Sequence, residues 1–378
     1  MASEHSLPTH HRALLLNSTR SPLDLSICER PTPQATSGSA VVRILAAPVI
    51  SYAKAVFAGE KPAYHYPDQF VPGFSAIGRV VAVGNDATLV QPGKLVFVDP
   101  FIRARDDPSA QLIAGVYEGF TDGSRKLMAG EWRDSTYAEY TKAPLESCYV
   151  LDEERLLGKN GLGYELEDLA YIAGLLVPFG GLRDVDFKPG ESLIVGPATG
   201  PFGNCAVHLG LALGASRLTA MGRNKTVLAE LERRGNGRVK TVPITGDSAA
   251  ETKELRANGP VDVFFDISPP FAIGSSHFKA GIEALGYRGR ASLMGGQLQD
   301  IPIPIRHVMH HCIQLRGKWM YESDDVRALI KLIEAGIVKL GAPGGIGPAK
   351  KYSLDDHLAA FDTAAENAKP FSLTVICP

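Results

Sequence analysis

The sequence predicts an α/β protein in which a β-rich N-terminal domain is followed by a doubly wound parallel sheet. Three observations carry this. Short apolar runs separated by turn residues fill the first hundred positions, strands alternate with amphipathic helices after Asp168, and a glycine-rich turn stands between the first of those strands and its helix. In the N-terminal part the runs Ala13–Leu16, Ala40–Leu45 and Ile77–Val83 are bounded by Pro31-Thr32-Pro33, Gly84-Asn85-Asp86 and Pro92-Gly93, which reads as a compact antiparallel β-domain. Residues 99–135 break that pattern with polar Arg103–Pro108 and with Gly115, Gly119, Gly123 and Gly130. So long a connection is expected to be functional or to carry a small structure of its own.

The second part reads as six strands: Ser192–Val195, Arg217–Met221, Val239–Val242, Val261–Asp266, Arg290–Met294 and Ile313–Gly317. Helical patterns near Pro201–Leu213, Lys225–Arg233, Ser248–Ala257 and Gly274–Leu285 supply the crossovers of a parallel sheet. A further helix is expected to start at Ser323 as N-cap, with Glu322, Asp324 and Asp325 around its first turn. Near the end, Tyr352-Ser353-Leu354 and Phe371–Ile376 turn strand-like again and are placed to complete the N-terminal domain.

Composition narrows the class. With 378 residues, 45% hydrophobic and 21% charged, the chain has room for two or three domains with real cores. Lys+Arg 39 against Asp+Glu 41 gives a net charge of −2, which leaves no global field for nucleic acid or an acidic membrane surface. The five cysteines are odd in number and scattered, with no C-x-x-C pair, which fits a reducing compartment. Met1–Arg12 is polar, Ala13–Leu16 is too short for a signal or membrane segment, and the last residues match no lipidation pattern. A soluble, cytoplasmic protein without nucleic-acid or membrane partners is the expectation.

The strongest local signal is Ser192-Leu193-Ile194-Val195-Gly196-Pro197-Ala198-Thr199-Gly200-Pro201-Phe202-Gly203 leading into an apolar helix. A strand, a glycine turn and a helix in that order bring backbone N–H groups at the helix N-terminus to a pyrophosphate, with Gly200 and Gly203 allowing close approach and Pro201 suited to the first turn. A tight structural turn would also need glycine; the strand-helix context favours dinucleotide binding, with Thr199 either capping the turn or touching phosphate. At the end of the second strand stands Met221-Gly222-Arg223-Asn224-Lys225. No carboxylate is there to accept from a ribose 2′-hydroxyl, and Arg223 can fork onto a 2′-phosphate, which points to NADPH rather than NADH. Ordinary solvated charges at a helix start are the alternative.

With these features in place the chain resembles the medium-chain dehydrogenase/reductase superfamily, in particular its alcohol dehydrogenase and quinone oxidoreductase group. The likeness runs from Arg12 to Pro378 and is carried by Phe70–Gly84, Thr136-Tyr137-Ala138-Glu139-Tyr140, Lys188-Pro189-Gly190-Glu191, the glycine turn and Tyr352–Asp356. It implies a GroES-like domain formed by both chain ends, residues 1–165 and 340–378, around a Rossmann NADP(H)-binding domain, residues 166–339. Family habit also implies a homodimer joined through the last strand of the parallel sheet. Zinc-dependent members carry ligands where this chain has Ile50 and Phe74, neither of which has a donor atom, and the 99–135 lobe contains no cysteine. The resemblance therefore implies a zinc-independent branch. The short-chain reductase motif Tyr-x-x-x-Lys is missing at all 12 tyrosines.

Without a metal, hydride transfer needs another electrophilic aid or a substrate that delocalises charge, such as an enone or quinone. Tyr52 falls where the family places a proton-relaying hydroxyl, and a phenol can donate to a developing enolate; packing a pocket wall is its alternative role. Ile50, Tyr52, Tyr64 and Phe74 are the candidate substrate-binding residues, with Tyr64-His65-Tyr66 near the entrance. Gly295 and Gly296, following the fifth strand, and Ser268, following the fourth, are candidates to face the nicotinamide. His307, His310 and His311 have a spacing compatible with a metal, but their segment resembles the family's turn after the fifth strand. The function expected is NADPH-dependent reduction of a small α,β-unsaturated carbonyl or quinone-like molecule. A metal-free carbonyl or imine reductase of a specialised biosynthetic pathway is the alternative, and an NADPH-binding protein without turnover is the rival of another class.

Overall fold

The computed structural model describes residues 7–19 and 22–378; Met1–Ser6, the head of the polar N-terminal stretch, and Arg20 and Ser21 lie outside the described residues. Two compact units divide the chain: Met1–Ala173 with Leu340–Ala368 and Ser372–Pro378, and Gly174–Lys339 with Lys369–Phe371.

In the first unit the strand Ser39–Pro48 is the organiser. It pairs antiparallel with Ala76–Val83, with Tyr140–Pro144 and, at its far end, with Thr374–Ile376 from the end of the chain, where Val375 lies opposite Pro48. Lys350–Tyr352 extends the sheet on one side, and Leu95–Val98 and Cys148–Val150 on the other. His10–Ser18 and Asp24–Pro31 form a separate antiparallel pair. The two chain ends thus build one GroES-like domain, over a core that includes Leu14, Val42, Ile44, Phe57, Phe70, Val96, Tyr137 and Phe361. Phe361 sits on the helix His357–Glu366, which the strand-like reading of the last forty residues passed over. Its buried residues, His357, Ala360, Phe361 and Ala364, have helical spacing, but small alanines make a faint apolar stripe. The 99–135 stretch is a short hairpin, Phe101–Arg103 against Gln111–Ile113, followed by the helix Asp122–Ala129 with a Thr121/Ser124 capping box.

The second unit holds a six-stranded parallel sheet in the order Val239–Pro243, Arg217–Gly222, Ser192–Gly196, Val261–Asp266, Leu285–Leu293, Gln314–Gly317. Numbered along the chain this is 3-2-1-4-5-6, the doubly wound order with its switch point between the first and fourth strands. The central strands read as unbroken apolar runs because helices cover both faces; Leu193–Val195 and Val263–Phe265 are buried throughout. Three expectations need correction. The fourth helix spans Ser276–Ala284 rather than Gly274–Leu285, because Gly274 adopts a positive φ of 76° and turns the chain before it. The fifth strand begins at Leu285, five residues earlier than read, and its pairing jumps from Val261–Leu285 to Val263–Arg290 across Gly286 and Gly289. Glu322, not Ser323, caps the helix Ser323–Glu334, in a box with Asp325, whose carboxylate accepts from the Glu322 N–H. The helix Ile172–Asp184 escaped the sequence reading because it is apolar all round and interrupted by Pro178.

All five cysteines are unbridged, and burial pushes the Cys148 thiol up to about 12 and that of Cys377 to about 11, so neither is a thiolate at neutral pH. No helix among the described residues is long and apolar enough to cross a membrane.

One buried carboxylate ties the second unit together. Glu251, 2% exposed on the helix Ser248–Leu255, accepts at Oε1 from Thr245 N at 2.6 Å, Thr245 Oγ1 at 3.0 Å, Gly246 N at 3.1 Å and Ser276 Oγ at 2.7 Å. It joins a loop to two helices, and its removal leaves the donors of Thr245, Gly246 and Ser276 without this acceptor. Glu251→Ala is expected to lower the unfolding free energy by about 2–4 kcal/mol in urea titrations; a loss below about 0.5 kcal/mol would show that the hub carries little of the stability.

Candidate functional site

The glycine turn of the second unit is built by three close approaches. A side chain on Gly203 would put its Cβ 2.1 Å from the Pro197 carbonyl oxygen, and one on Gly222 would lie 2.3 Å from Thr199 Cγ2. The Ala198 N–H donates to Met221 O at 2.6 Å, so the turn, the second strand and the helix Pro201–Ala212 lock at one point. Gly200 is different: its Cβ would meet no protein atom within 4 Å. Gly200 is also the N-cap, and no side chain caps this helix, whereas Asn224 Oδ1 accepts from Thr226 N and Val227 N at the next one and Asp247 Oδ1 caps the one after. With Pro201 lacking an N–H, the donors at the helix opening are the amides of Phe202 and Gly203. An uncapped helix start beside an open glycine face fits a pyrophosphate.

Arg223 and Lys225 are exposed at the end of the second strand, and among the described residues no ion pair holds Arg223. Asn224 serves its own helix as a cap. Ser268 is buried, its Oγ 2.5 Å from Asp266 Oδ1 and 2.8 Å from His277 Nε2. Gly296 N donates to Ser268 O at 2.9 Å, and a Cβ on Gly295 would lie 2.5 Å from Asp266 Oδ2, so Ser268, Gly295 and Gly296 share one spot at the strand ends. Asp266 and His277 were not singled out from sequence; the cue was an acidic residue closing an apolar strand, while His277, eleven positions on, gave none.

In the first unit Ile50, Tyr52 and Tyr64 pack on the core, and Tyr52 stands just before the short helix Ala53–Phe57 without a side-chain cap bond to it. Tyr52 lies 5.9 Å from Tyr64 between ring centroids, Tyr64 5.7 Å from Tyr117, and Tyr117 5.4 Å from Phe120, which is 66% exposed. This aromatic chain leads from the core to solvent. The Tyr52 and Tyr64 side chains share a hydrogen bond; burial first, and Tyr64 second, hold the Tyr52 phenol well above its usual range. Burial also raises Tyr64, partly offset by its hydrogen bond with Tyr52. Phe74 is buried on a separate segment, its N–H donating to Thr136 Oγ1 at 3.1 Å. The 99–135 lobe braces both groups: Gly73 N donates to Gly115 O at 3.3 Å and Glu118 N to His65 O at 2.8 Å.

The donor set does not fit a metal. Ile50 and Phe74 offer no ligand atom, and among the described residues no group of three His, Cys, Asp or Glu is placed to hold one. His307 and His311 stack at 4.1 Å, with His307 Nε2 3.2 Å from Leu285 O.

Compared with known proteins, residues 36–153 match the alcohol dehydrogenase GroES-like domain and residues 201–335 the zinc-binding dehydrogenase family. A probable D-xylulose reductase A of Aspergillus terreus is 24% identical over 275 residues, 72% of this chain and 73% of its own. An alcohol dehydrogenase of Moraxella sp. is 24% identical over 330 residues, 87% and 90% of the two chains. The structure of alcohol dehydrogenase TADH from Thermus sp. ATN1 shares the fold with a TM-score of 0.76 at 19% identity, covering 97% of this chain and 99% of that one. Fold and relatives together define a dehydrogenase-type oxidoreductase with a pyridine nucleotide cofactor. The chain belongs to the medium-chain dehydrogenase/reductase superfamily.

Gly200 and Gly203 separate binding from folding. Gly200→Ala fills the open face without touching protein, so the melting temperature is expected to stay within about 2 °C while dinucleotide affinity falls about tenfold or more. Gly203→Ala clashes with backbone and is expected to lower both. A Gly200→Ala protein that binds nucleotide normally would show that the turn is structural only.

Proposed function

We propose that this protein is a zinc-independent, NADPH-dependent reductase of a small α,β-unsaturated carbonyl or quinone-like substrate. Ile50 and Phe74 carry this conclusion: two side chains without donor atoms stand at the positions where the resemblance to zinc-dependent members puts ligands. The bound nucleotide supplies a hydride, and a substrate that spreads the resulting negative charge needs no Lewis acid.

The chain's own residues do the rest. The amides of Phe202 and Gly203 bind the pyrophosphate, and Arg223 pairs with a 2′-phosphate where NADH would leave it unused. Thr199 and Gly222 hold the turn in shape. Ile50, Tyr64 and Phe74 offer apolar surface to the substrate. Tyr52, hydrogen-bonded to Tyr64, holds a proton for the enolate oxygen that hydride addition creates. A plain carbonyl is the second reading, favoured by the alcohol dehydrogenase and reductase names of the relatives.

A homodimer joined along the strand Gln314–Gly317 is part of the proposal. That strand is a sheet edge, and Phe271, Leu298, Ile305 and Met309 are exposed in the preceding forty-odd residues. Light scattering is expected to give twice the chain mass of 40.4 kDa; a mass equal to one chain removes the dimer.

Chelator-treated protein is expected to oxidise NADPH in the presence of enones or quinones. Arg223→Ala should weaken NADPH by about tenfold and leave NADH unchanged. A wild-type preference for NADH, or activity that returns only with added zinc, contradicts the proposal.

The pH dependence has a definite sign. A phenol held above about 10 keeps its proton, so the acid form of Tyr52 is fully populated from about pH 6 to 9 and the rate owes no inflection to it there. Tyr52→Phe should lower the rate by about 10²-fold or more. A wild-type rate that falls through pH 7–8 and a Tyr52→Phe enzyme lacking that fall would instead mark a low phenol pKa.

A further inference from the structure

At the carboxyl ends of the first, fourth and fifth strands lies a side-chain network beyond the glycine turn. Asp266, Ser268 and His277 are 2%, 2% and 1% exposed, and their polar atoms meet at one point: Ser268 Oγ to Asp266 Oδ1 2.5 Å, Ser268 Oγ to His277 Nε2 2.8 Å, and His277 Nε2 to Asp266 Oδ1 3.3 Å. Ser275 Oγ takes the other ring nitrogen at 2.7 Å.

Hydrogen accounting fixes the roles. Ser268 Oγ donates its single proton to Asp266 Oδ1. The serine oxygen then accepts from His277, whose Nε2 must carry hydrogen. The ring is thereby held in one orientation from both sides, by Ser268 and by Ser275.

Three backbone segments rest on this network. Ile267 N donates to Gly196 O at 3.1 Å, Met294 N to Asp266 O at 2.9 Å and Gly296 N to Ser268 O at 2.9 Å. A Cβ on Gly196 would come within 3.2 Å of His277 Cδ2, and one on Gly295 within 2.5 Å of Asp266 Oδ2. The side chains therefore fill the space beneath the start of the glycine turn and beneath the 267–268 and 295–296 backbone, the strand ends at a switch point where α/β sheets bind ligands.

We propose that Asp266, Ser268 and His277 are positioning residues that set the 267–268 and 295–296 backbone for the nicotinamide half of the cofactor, leaving the adenosine half to the turn and Arg223. The proposal rests on the reading of this unit as a pyridine-nucleotide site. None of the three side chains is exposed enough to act on substrate itself. Their contribution is a fixed backbone, and it falls on one end of the dinucleotide.

Calorimetric titration with whole dinucleotides and with fragments lacking nicotinamide tests this. NADPH and NADH are compared with 2′,5′-ADP and ADP-ribose, on the wild type, Ser268→Ala, His277→Leu and His277→Gln. His277→Leu and Ser268→Ala are expected to weaken the preferred dinucleotide about tenfold while fragment affinity changes less than about twofold, and His277→Gln, which keeps a donor near Nε2, to recover much of the loss. Equal weakening of dinucleotide and fragment, no weakening in the soluble Ser268→Ala protein, or a His277→Gln no better than His277→Leu overturns the positioning role. A wild type that binds neither dinucleotide nor fragment overturns the nucleotide reading itself, and the proposal with it.

Discussion

How near the helix Pro201–Ala212 can come to the strand Ser192–Gly196 governs the nucleotide-facing unit. The distance is set by one missing side chain, since any Cβ on Gly203 would overlap the Pro197 carbonyl. Because the helix sits that close, its first amides open onto the space above Gly200, and the second strand closes on Thr199 through Gly222. The same unit caps its neighbouring helices with Asn224 and Asp247. Leaving this helix start uncapped beside a bare glycine face is costly for an isolated fold and favourable for one that binds an anion.

In the GroES-like unit the corresponding constraint is that Ile50 and Phe74 carry no ligand atom. Ile50, Tyr52 and Tyr64 are anchored to the core, and Phe74 is held on its own segment by Thr136. The lobe of residues 99–135, which lacks cysteine, braces these segments by backbone bonds through Gly115 and Glu118. The acid proposed here is the Tyr52 phenol, which burial raises well above its usual range and which is hydrogen-bonded to Tyr64. A proton donor without an accompanying Lewis acid suits electrophiles that carry their own electron sink.

Much of this architecture was legible in the sequence. The central strands of the parallel sheet were marked by apolar runs because they are buried on both faces, and the return of the chain end to the first domain was marked by Phe371–Ile376, of which Thr374–Ile376 is strand. Elements without a one-sided pattern were harder. Ile172–Asp184 is apolar all round, and His357–Glu366 buries mostly alanine. At the site, Gly200, Gly203, Gly222 and Arg223 were visible because a strand, a turn and a helix follow one another directly. The union of Asp266, Ser268 and His277 was not, since it depends on how a helix start folds back beneath a strand end. Tyr52 was visible only through resemblance; its partnership with Tyr64, twelve residues away, is a product of the loop between them.

The central claim is that the opening amides of the Pro201–Ala212 helix receive the pyrophosphate of a pyridine nucleotide. Backbone amide NMR of isotope-labelled protein titrated with NADPH tests it most directly. The Phe202 and Gly203 amide resonances are expected to shift in a saturable, one-to-one manner, among the largest changes in the spectrum. Saturable binding that leaves those two amides in place, while resonances elsewhere move, would contradict it.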